Sequence, residues 1–267
     1  MTSVNNSPRS AIESARRTIA IERQAVEQLE HRIDDSFSKA VDLLASVKGR
    51  VIVSGMGKSG HIGNKIAATL ASTGTPAQFV HPAEACHGDM GMVTRSDAAL
   101  LMSNSGTTGE ITALLPLLKR LGIPIVAMTG NPTSTLATAA DVHLNIGVSE
   151  EACPLDLAPT ASTTANLVMG DALAIALLEH RGLTAEDFAF THPGGALGRR
   201  LLTRVSDVFV SGDDIPRVTT DTSLGDALIE ISAKGLGMST VIDKNEHLLG
   251  IFTDGDLRRA LEQNHDL

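Results

Sequence analysis

An α/β fold, with a parallel sheet covered by helices on both faces and a smaller βαββα unit after it, is what the amino-acid sequence predicts. Three observations carry this. Between residues 51 and 180, short β-branched runs alternate with segments of helical periodicity, the pattern of βαβ units in a doubly wound, Rossmann-like sheet. Two of the strands run directly into glycine- and hydroxyl-rich turns that open helices, at 54–60 and 103–110. From Val205 onward the pattern changes to a linker, a helix, a hairpin and a last helix.

In chain order, residues 1–10 are polar and expected to be disordered, with no secretory signal. Residues 11–33 carry Ile12, Ile19, Ile21, Ala25 and Leu29 on an amphipathic helix, and 37–47 a second one on Ala40, Val41, Leu43 and Leu44. This pair is expected to pack on the sheet or on a second subunit. Strands are predicted at 51–53, 77–80, 98–102, 123–128 and 142–146. Helices are predicted at 59–72, 107–121, 133–139 and 160–180, which gives one domain over 11–203. A linker follows at 204–216, with Gly212, Asp213, Asp214 and Pro216. The unit 217–267 then holds a helix at 223–234, strands at 239–242 and 248–252 joined through Asp243–His247, and a helix at 255–262. Ligands of parallel sheets sit beyond the carboxyl ends of the strands, so the loops of interest are 54–59, 81–89, 103–108 and 147–163.

Bulk properties narrow the function. The chain has 267 residues, 42% of them hydrophobic, with no Trp and no Tyr, so its core is aliphatic. A formal charge of −9 argues against a nucleic-acid-binding surface. The two cysteines, Cys86 and Cys153, are too few for a disulfide framework and fit a reducing compartment. No apolar run of transmembrane length stands out, and a cytoplasmic protein without membrane contact is expected.

The stretch Ser54-Gly-Met-Gly-Lys-Ser-Gly60 reads as a strand end, a tight turn and a helix start. Its free N–H groups and Lys58 suit an anion. It lacks the P-loop spacing, and no suitable acidic residue makes it a dinucleotide fingerprint. Ser103-Asn-Ser-Gly-Thr-Thr-Gly-Glu110 offers four hydroxyls at another strand end and suits a phosphate monoester. An ordinary N-cap at Ser105 or Thr107, with Glu110 near the capping-box position, explains part of that run but not all of it.

Together these two stretches resemble the sugar isomerase (SIS) domain family. His81-Pro-Ala-Glu84-Ala-Cys-His87-Gly-Asp, Pro159-Thr-Ala-Ser-Thr-Thr164 and Thr191-His192-Pro-Gly-Gly-Ala-Leu-Gly-Arg199 extend the resemblance to the arabinose 5-phosphate isomerases. That resemblance implies an aldose–ketose isomerase acting through an enediol on D-arabinose 5-phosphate and D-ribulose 5-phosphate, at the start of synthesis of the eight-carbon acid Kdo found in lipopolysaccharide and some capsules. It also implies a homotetramer with no required cofactor. By resemblance, Lys58, Glu110, Glu151 and His192 carry the chemistry. Ser59, Ser103, Ser105 and Thr108 would contact phosphate, and Gly74, Thr75, His81 and His87 the sugar.

Read physically, Lys58 neutralises phosphate or a developing oxyanion. Glu151, at a strand's carboxyl end beside Glu150, is the favoured base, and a raised pKa would suit it. Glu110 stays open as the alternative base. His192 is expected to touch ligand, supplied by a neighbouring subunit since its arm leaves the sheet. His81, with Cys86, His87 and Asp89, is also a candidate for adventitious, inhibitory zinc, although the spacing is no structural zinc pattern. Thr160, Ser162 and Thr163 either face the site or cap the long helix. Residues 217–267 resemble one CBS motif, with Thr253 and Asp256 at the end that would take a nucleotide or nucleotide-sugar effector. These motifs usually occur in tandem, so a lone one implies a shortened chain or pairing between subunits. A sugar-phosphate sensor on the same fold, or an isomerase of a longer sugar, are the alternative functions. A sensor would need the phosphate loops but not Glu151 and His192.

Overall fold

The structure, a computed structural model, describes residues 10–262 apart from Pro193 and Gly195. The expected disorder of 1–10 therefore falls outside the described residues, save for Ser10. Ser10 caps the first helix in a reciprocal capping box with Glu13. The chain forms two compact units, 1–202 and 203–267.

The first unit opens with helices α1 (Ala11–Glu30) and α2 (Asp35–Ala45). Strand β1 (Val51–Gly55), helix α3 (Gly57–Ser72), strand β2 (Ala77–Phe79) and the short α4 (Pro82–Cys86) follow. Next come β3 (Ala98–Met102), α5 (Gly109–Thr112), α6 (Leu115–Leu121), β4 (Ile125–Thr129), α7 (Thr135–Ala139), β5 (Val142–Asn145), α8 (Ala161–Arg181), α9 (Ala185–Thr191) and α10 (Ala196–Leu202). The five strands are all parallel, in the order β2-β1-β3-β4-β5. The order reverses between β1 and β3, and such a switch point opens a crevice beyond the strand ends.

Alternation along the strands feeds two cores. Val51, Val53, Leu100, Met102, Val126 and Met128 face α2, α3 and α8, while Ile52, Leu101, Ile125 and Ala127 face α4 to α7. On α3, Ile66 and Leu70 are fully buried. Each such side chain contributes about 1.5–3 kcal/mol from burial alone.

Several expectations are corrected. The helix predicted over 107–121 is two helices, because Pro116 cannot donate to the preceding turn and instead sits in the first turn of α6. The helix predicted from Ser59 begins at Gly57. Helix α8 is, by length and composition, apolar enough to cross a membrane. Its apolarity has another cause here, since Ala165, Met169, Leu173 and Leu177 are buried in the core.

The second unit contains α11 (Val205–Val208), β6 (Arg217–Thr219), α12 (Leu224–Lys234), β7 (Met238–Ile242), β8 (Leu248–Thr253) and α13 (Asp254–Glu262). The segment read as a linker thus carries a helical turn, and a 3-10 turn at Gly212–Asp214. Strand β6 pairs parallel with β7, and β7–β8 is the expected hairpin. Ile229, Leu248, Leu249 and Ile251 are exposed, so this unit leaves apolar surface uncovered. Asp256 already accepts the N–H and hydroxyl of Thr253 and pairs with Arg259. The hydroxyl and carboxylate expected to hold a ribose are bonded to each other.

Candidate active site

The phosphate-type loops leave the sheet side by side. In the β1–β3 ladder Gly55 stands opposite Met102, so Met56-Gly57 and Ser103 emerge from adjacent strand ends. The glycines of the first loop answer specific demands. Gly57 has φ +58°, a conformation that side chains with a Cβ resist. A Cβ on Gly60 would lie 2.6 Å from the Gly55 carbonyl oxygen. This close approach sets the start of α3 directly on the end of β1. Lys58 in the first turn is exposed and bonds to none of the described residues, and Ser59 is half-buried beside it.

The second loop is bonded to itself. The Ser103 hydroxyl lies 2.7 Å from that of Thr108 and accepts the Gly106 N–H at 3.0 Å. Ser105 accepts the N–H and hydroxyl of Thr107. Gly106 has φ +67°, and its carbonyl accepts the N–H of Leu136 in α7. Glu110 lies exposed in the first turn of α5.

Helix α8 brings in the carboxylate. It runs parallel to α3, with Gly170 against Ile66, Asp171 paired with Lys65, and Arg181 donating to Thr75. Ser162 lies eight residues before Gly170, in the first turn of α8. Glu151 sits at this end. Its Oε2 accepts the Thr160 N–H at 2.6 Å, the Thr160 hydroxyl at 2.9 Å and the Ser162 N–H at 3.3 Å. Partial burial pushes its carboxyl up, but hydrogen bonds from Ser162 and Thr160 outweigh this and hold it below the ordinary glutamate value. The expected direction of shift is reversed, so the carboxylate is fully ionised at neutral pH. Glu151 lines an open cleft of about 300 Å³ with Asn104, Val148, Ser149, Glu150, Asp156, Leu157 and Pro159. Asn104 ties that cleft to the Ser103 loop. The sequence reading did not single out Asn104 or Asp156, though both lie inside its flagged loops.

His81 follows β2 at the same end of the sheet, where the buried Ser54 hydroxyl donates to the Val80 carbonyl at 2.7 Å. Its Nδ1 accepts the Ala83 N–H, so it caps α4. His87 is exposed at the other end of that short helix. Among the described residues no group of three or more His, Cys, Asp and Glu side chains is placed to hold a metal ion, so His81, Cys86, His87 and Asp89 do not converge as proposed for zinc.

Three expected residues lie elsewhere. Gly74 and Thr75 follow the far end of α3. Thr75 is buried beneath Arg181, and Gly74, at φ +85°, packs on Leu183. The Thr191 hydroxyl reaches the Ser72 carbonyl at that same end, and His192 stacks on Phe188 with ring centroids 4.1 Å apart. Fourteen residues of helix separate Ser72 from Lys58, about 21 Å. Within one chain, His192, Gly74 and Thr75 do not meet Lys58 or Glu151. The Thr184–Asp187 capping box was the available signal for the helix that carries His192.

Comparisons with known proteins fit this arrangement. The SIS domain model matches residues 43–176 and the CBS domain model residues 205–263. The chain is 65% identical over 256 residues to the arabinose 5-phosphate isomerase KdsD of Pseudomonas aeruginosa, covering 96% of this chain and 78% of that protein. It belongs to the arabinose 5-phosphate isomerase family. Against the family member KdsD of Escherichia coli K12 the identity is 57% over 255 residues, covering 96% of this chain and 78% of that one. Among solved structures, c3406 of E. coli CFT073 in complex with arabinose 5-phosphate superposes with TM-score 0.67 at 44% identity, over 71% of this chain and all of that one. The Vibrio vulnificus NanR protein complexed with ManNAc-6P, at 20% identity and TM-score 0.57 over 74% of this chain and 71% of that one, shares the fold of the isomerase family.

Proposed function

We propose that this chain interconverts D-arabinose 5-phosphate and D-ribulose 5-phosphate through an enediol, with no required cofactor. The observation that carries the reading is the meeting of two anion-type loops at the β1–β3 switch point, next to an ionised glutamate. The sequence identity to KdsD supports the choice of sugar.

The phosphate is held by the N–H groups at the starts of α3 and α5, with Ser59, Ser103, Ser105, Thr108 and the Lys58 charge. His81 and His87 face the sugar. Glu151 takes the proton from C2 of the open-chain aldose. The C2–H electrons form the C1–C2 double bond as the C1 carbonyl oxygen gains a proton, and return of the carbon-bound proton to C1, with loss of the C2 hydroxyl proton as that oxygen becomes the carbonyl, gives the ketose. Glu110, exposed in the first turn of α5, is the alternative base. His192, about 20 Å away along α3, serves the cleft of a neighbouring copy, which fits a homotetramer. The reaction would supply Kdo synthesis in the cytoplasm.

The test is ketose formation from D-arabinose 5-phosphate in chelator without added metal. Turnover supports the isomerase. Binding of the sugar phosphate without turnover under any metal condition would replace it with a sensor. Glu151→Gln is expected to keep binding and abolish turnover, and unchanged turnover removes Glu151 from the reaction.

A further inference from the structure

Thr160 occupies the N-cap of α8 but does not cap it. An N-cap threonine ordinarily turns its oxygen to the N–H groups of its own first turn. Here its side chain makes no such bond. It is turned to the Glu151 loop instead. Its hydroxyl donates to Glu151 Oε2 and accepts the Ala152 N–H at 2.8 Å, while its own N–H donates to the same Oε2. Glu151 in turn takes the Ser162 N–H, the bond that Thr160 forgoes. The two residues have exchanged capping duties, and the exchange pins both the carboxylate and the backbone after it. Ordinary helix capping needs neither the swap nor the bond to Ala152.

We infer that Thr160 is a positioning residue, whose hydroxyl holds the Glu151 carboxylate in place for proton transfer. This rests on the reading that Glu151 takes part in the isomerisation. The other charged and titratable groups around the carboxylate act on its backbone or stand aside. Asp156 accepts the Glu151 N–H, Arg17 of α1 donates to the Ala152 carbonyl, and Arg32 donates to the Gly147 carbonyl. Glu22 of α1 accepts the Thr164 hydroxyl, one turn into α8. Glu150 is adjacent in sequence and Cys153 lies two residues on. None of these charged groups donates to the Glu151 side chain; the Ser162 hydroxyl acts beside that of Thr160 in holding its carboxyl down.

The experiment compares T160V, which removes the hydroxyl at constant shape, with T160S, which keeps it. The readouts are kcat, KM and the pH profile of kcat/KM on D-arabinose 5-phosphate, with thermal unfolding alongside. T160V is expected to lower kcat about tenfold or more while KM moves less than about threefold. A carboxylate that loses a donor has a higher pKa, so the acid limb of the profile moves to higher pH. T160S is expected to recover most of the loss. T160A serves the same purpose should valine prevent folding. Parent-like kinetics in T160V, or a loss of kcat that T160S fails to restore and that leaves the acid limb in place, overturns the inference. Glu151→Gln separates the two readings. If it abolishes turnover while T160V matches the parent, Glu151 stands and Thr160 falls. If Glu151→Gln turns over normally, the roles of both fall.

Discussion

Gly60→Ala tests whether the close approach of α3 to β1 makes the phosphate site. The new Cβ would stand 2.6 Å from the Gly55 carbonyl oxygen and 3.3 Å from its carbon, both backbone atoms that no rotamer change can move. Relaxed carbon–oxygen contacts begin near 3.3 Å, so the helix start must retreat by roughly 0.7 Å. Overpacking of this kind costs about 1–3 kcal/mol. For a unit of this size that lowers Tm by about 2–12 °C. Lys58 and Ser59 travel with the helix start. A misplacement approaching 1 Å lowers kcat/KM by about ten- to a hundredfold. Thermal unfolding and steady-state kinetics on D-arabinose 5-phosphate read the two effects. Gly91→Ala is the control, because a Cβ there meets nothing within 4 Å and φ is not positive. It should stay within about 0.5 kcal/mol of the parent. A Gly60→Ala protein with parental Tm and KM would refute the reasoning.

Three further outcomes are expected. Lys58→Met removes a charged donor from the phosphate loop and should raise KM for the sugar phosphate about 10–100-fold, read in the same assay. Burial pushes the Asp97 carboxyl up, but the N–H of Arg50 and the N–H and hydroxyl of Thr94 outweigh it and hold the pKa below 3.8. The stability Asp97 contributes is therefore present above that pH and lost as pH falls through the depressed value. Asp97→Asn should cost about 1–3 kcal/mol at pH 7 and flatten this part of the acid dependence in urea titrations. Gly170→Ala would place a methyl 2.2 Å from Ile66 Cδ1 and should cost about 1–3 kcal/mol. Adding Gly170→Ala to Ile66→Ala should instead stabilise that variant, since the methyl enters the cavity, and calorimetry of the three proteins decides.

The sheet was legible because its strands are short β-branched or aliphatic runs closed by turn residues, and nothing tertiary competes with that signal. The break at Ala113–Leu114 was not, because Ile111, Leu114, Leu115 and Leu118 keep helical spacing straight through it. Only Pro116 betrayed the interruption. The loops at Lys58 and Ser103 could be placed at one end of the molecule from topology alone. The separation of His192 and Thr75 from them could not, because it depends on which end of α3 the later helices reach. Nor could the sign of the Glu151 shift, which is set by Thr160 and Ser162, nine and eleven positions further along the chain.

The length of α3 also bears on genetics. One end of it carries Lys58, and the Thr191–His192 segment lies against the other. If each copy lends His192 to a neighbour's cleft, chains damaged at opposite ends can repair one another. Glu151→Gln and His192→Ala proteins, each inactive as a pure assembly, should regain about a quarter of the parental rate when unfolded and reassembled as an equal mixture with random two-site pairing. Alleles of the two kinds would then complement in one cell, while two alleles damaged at the same end would not.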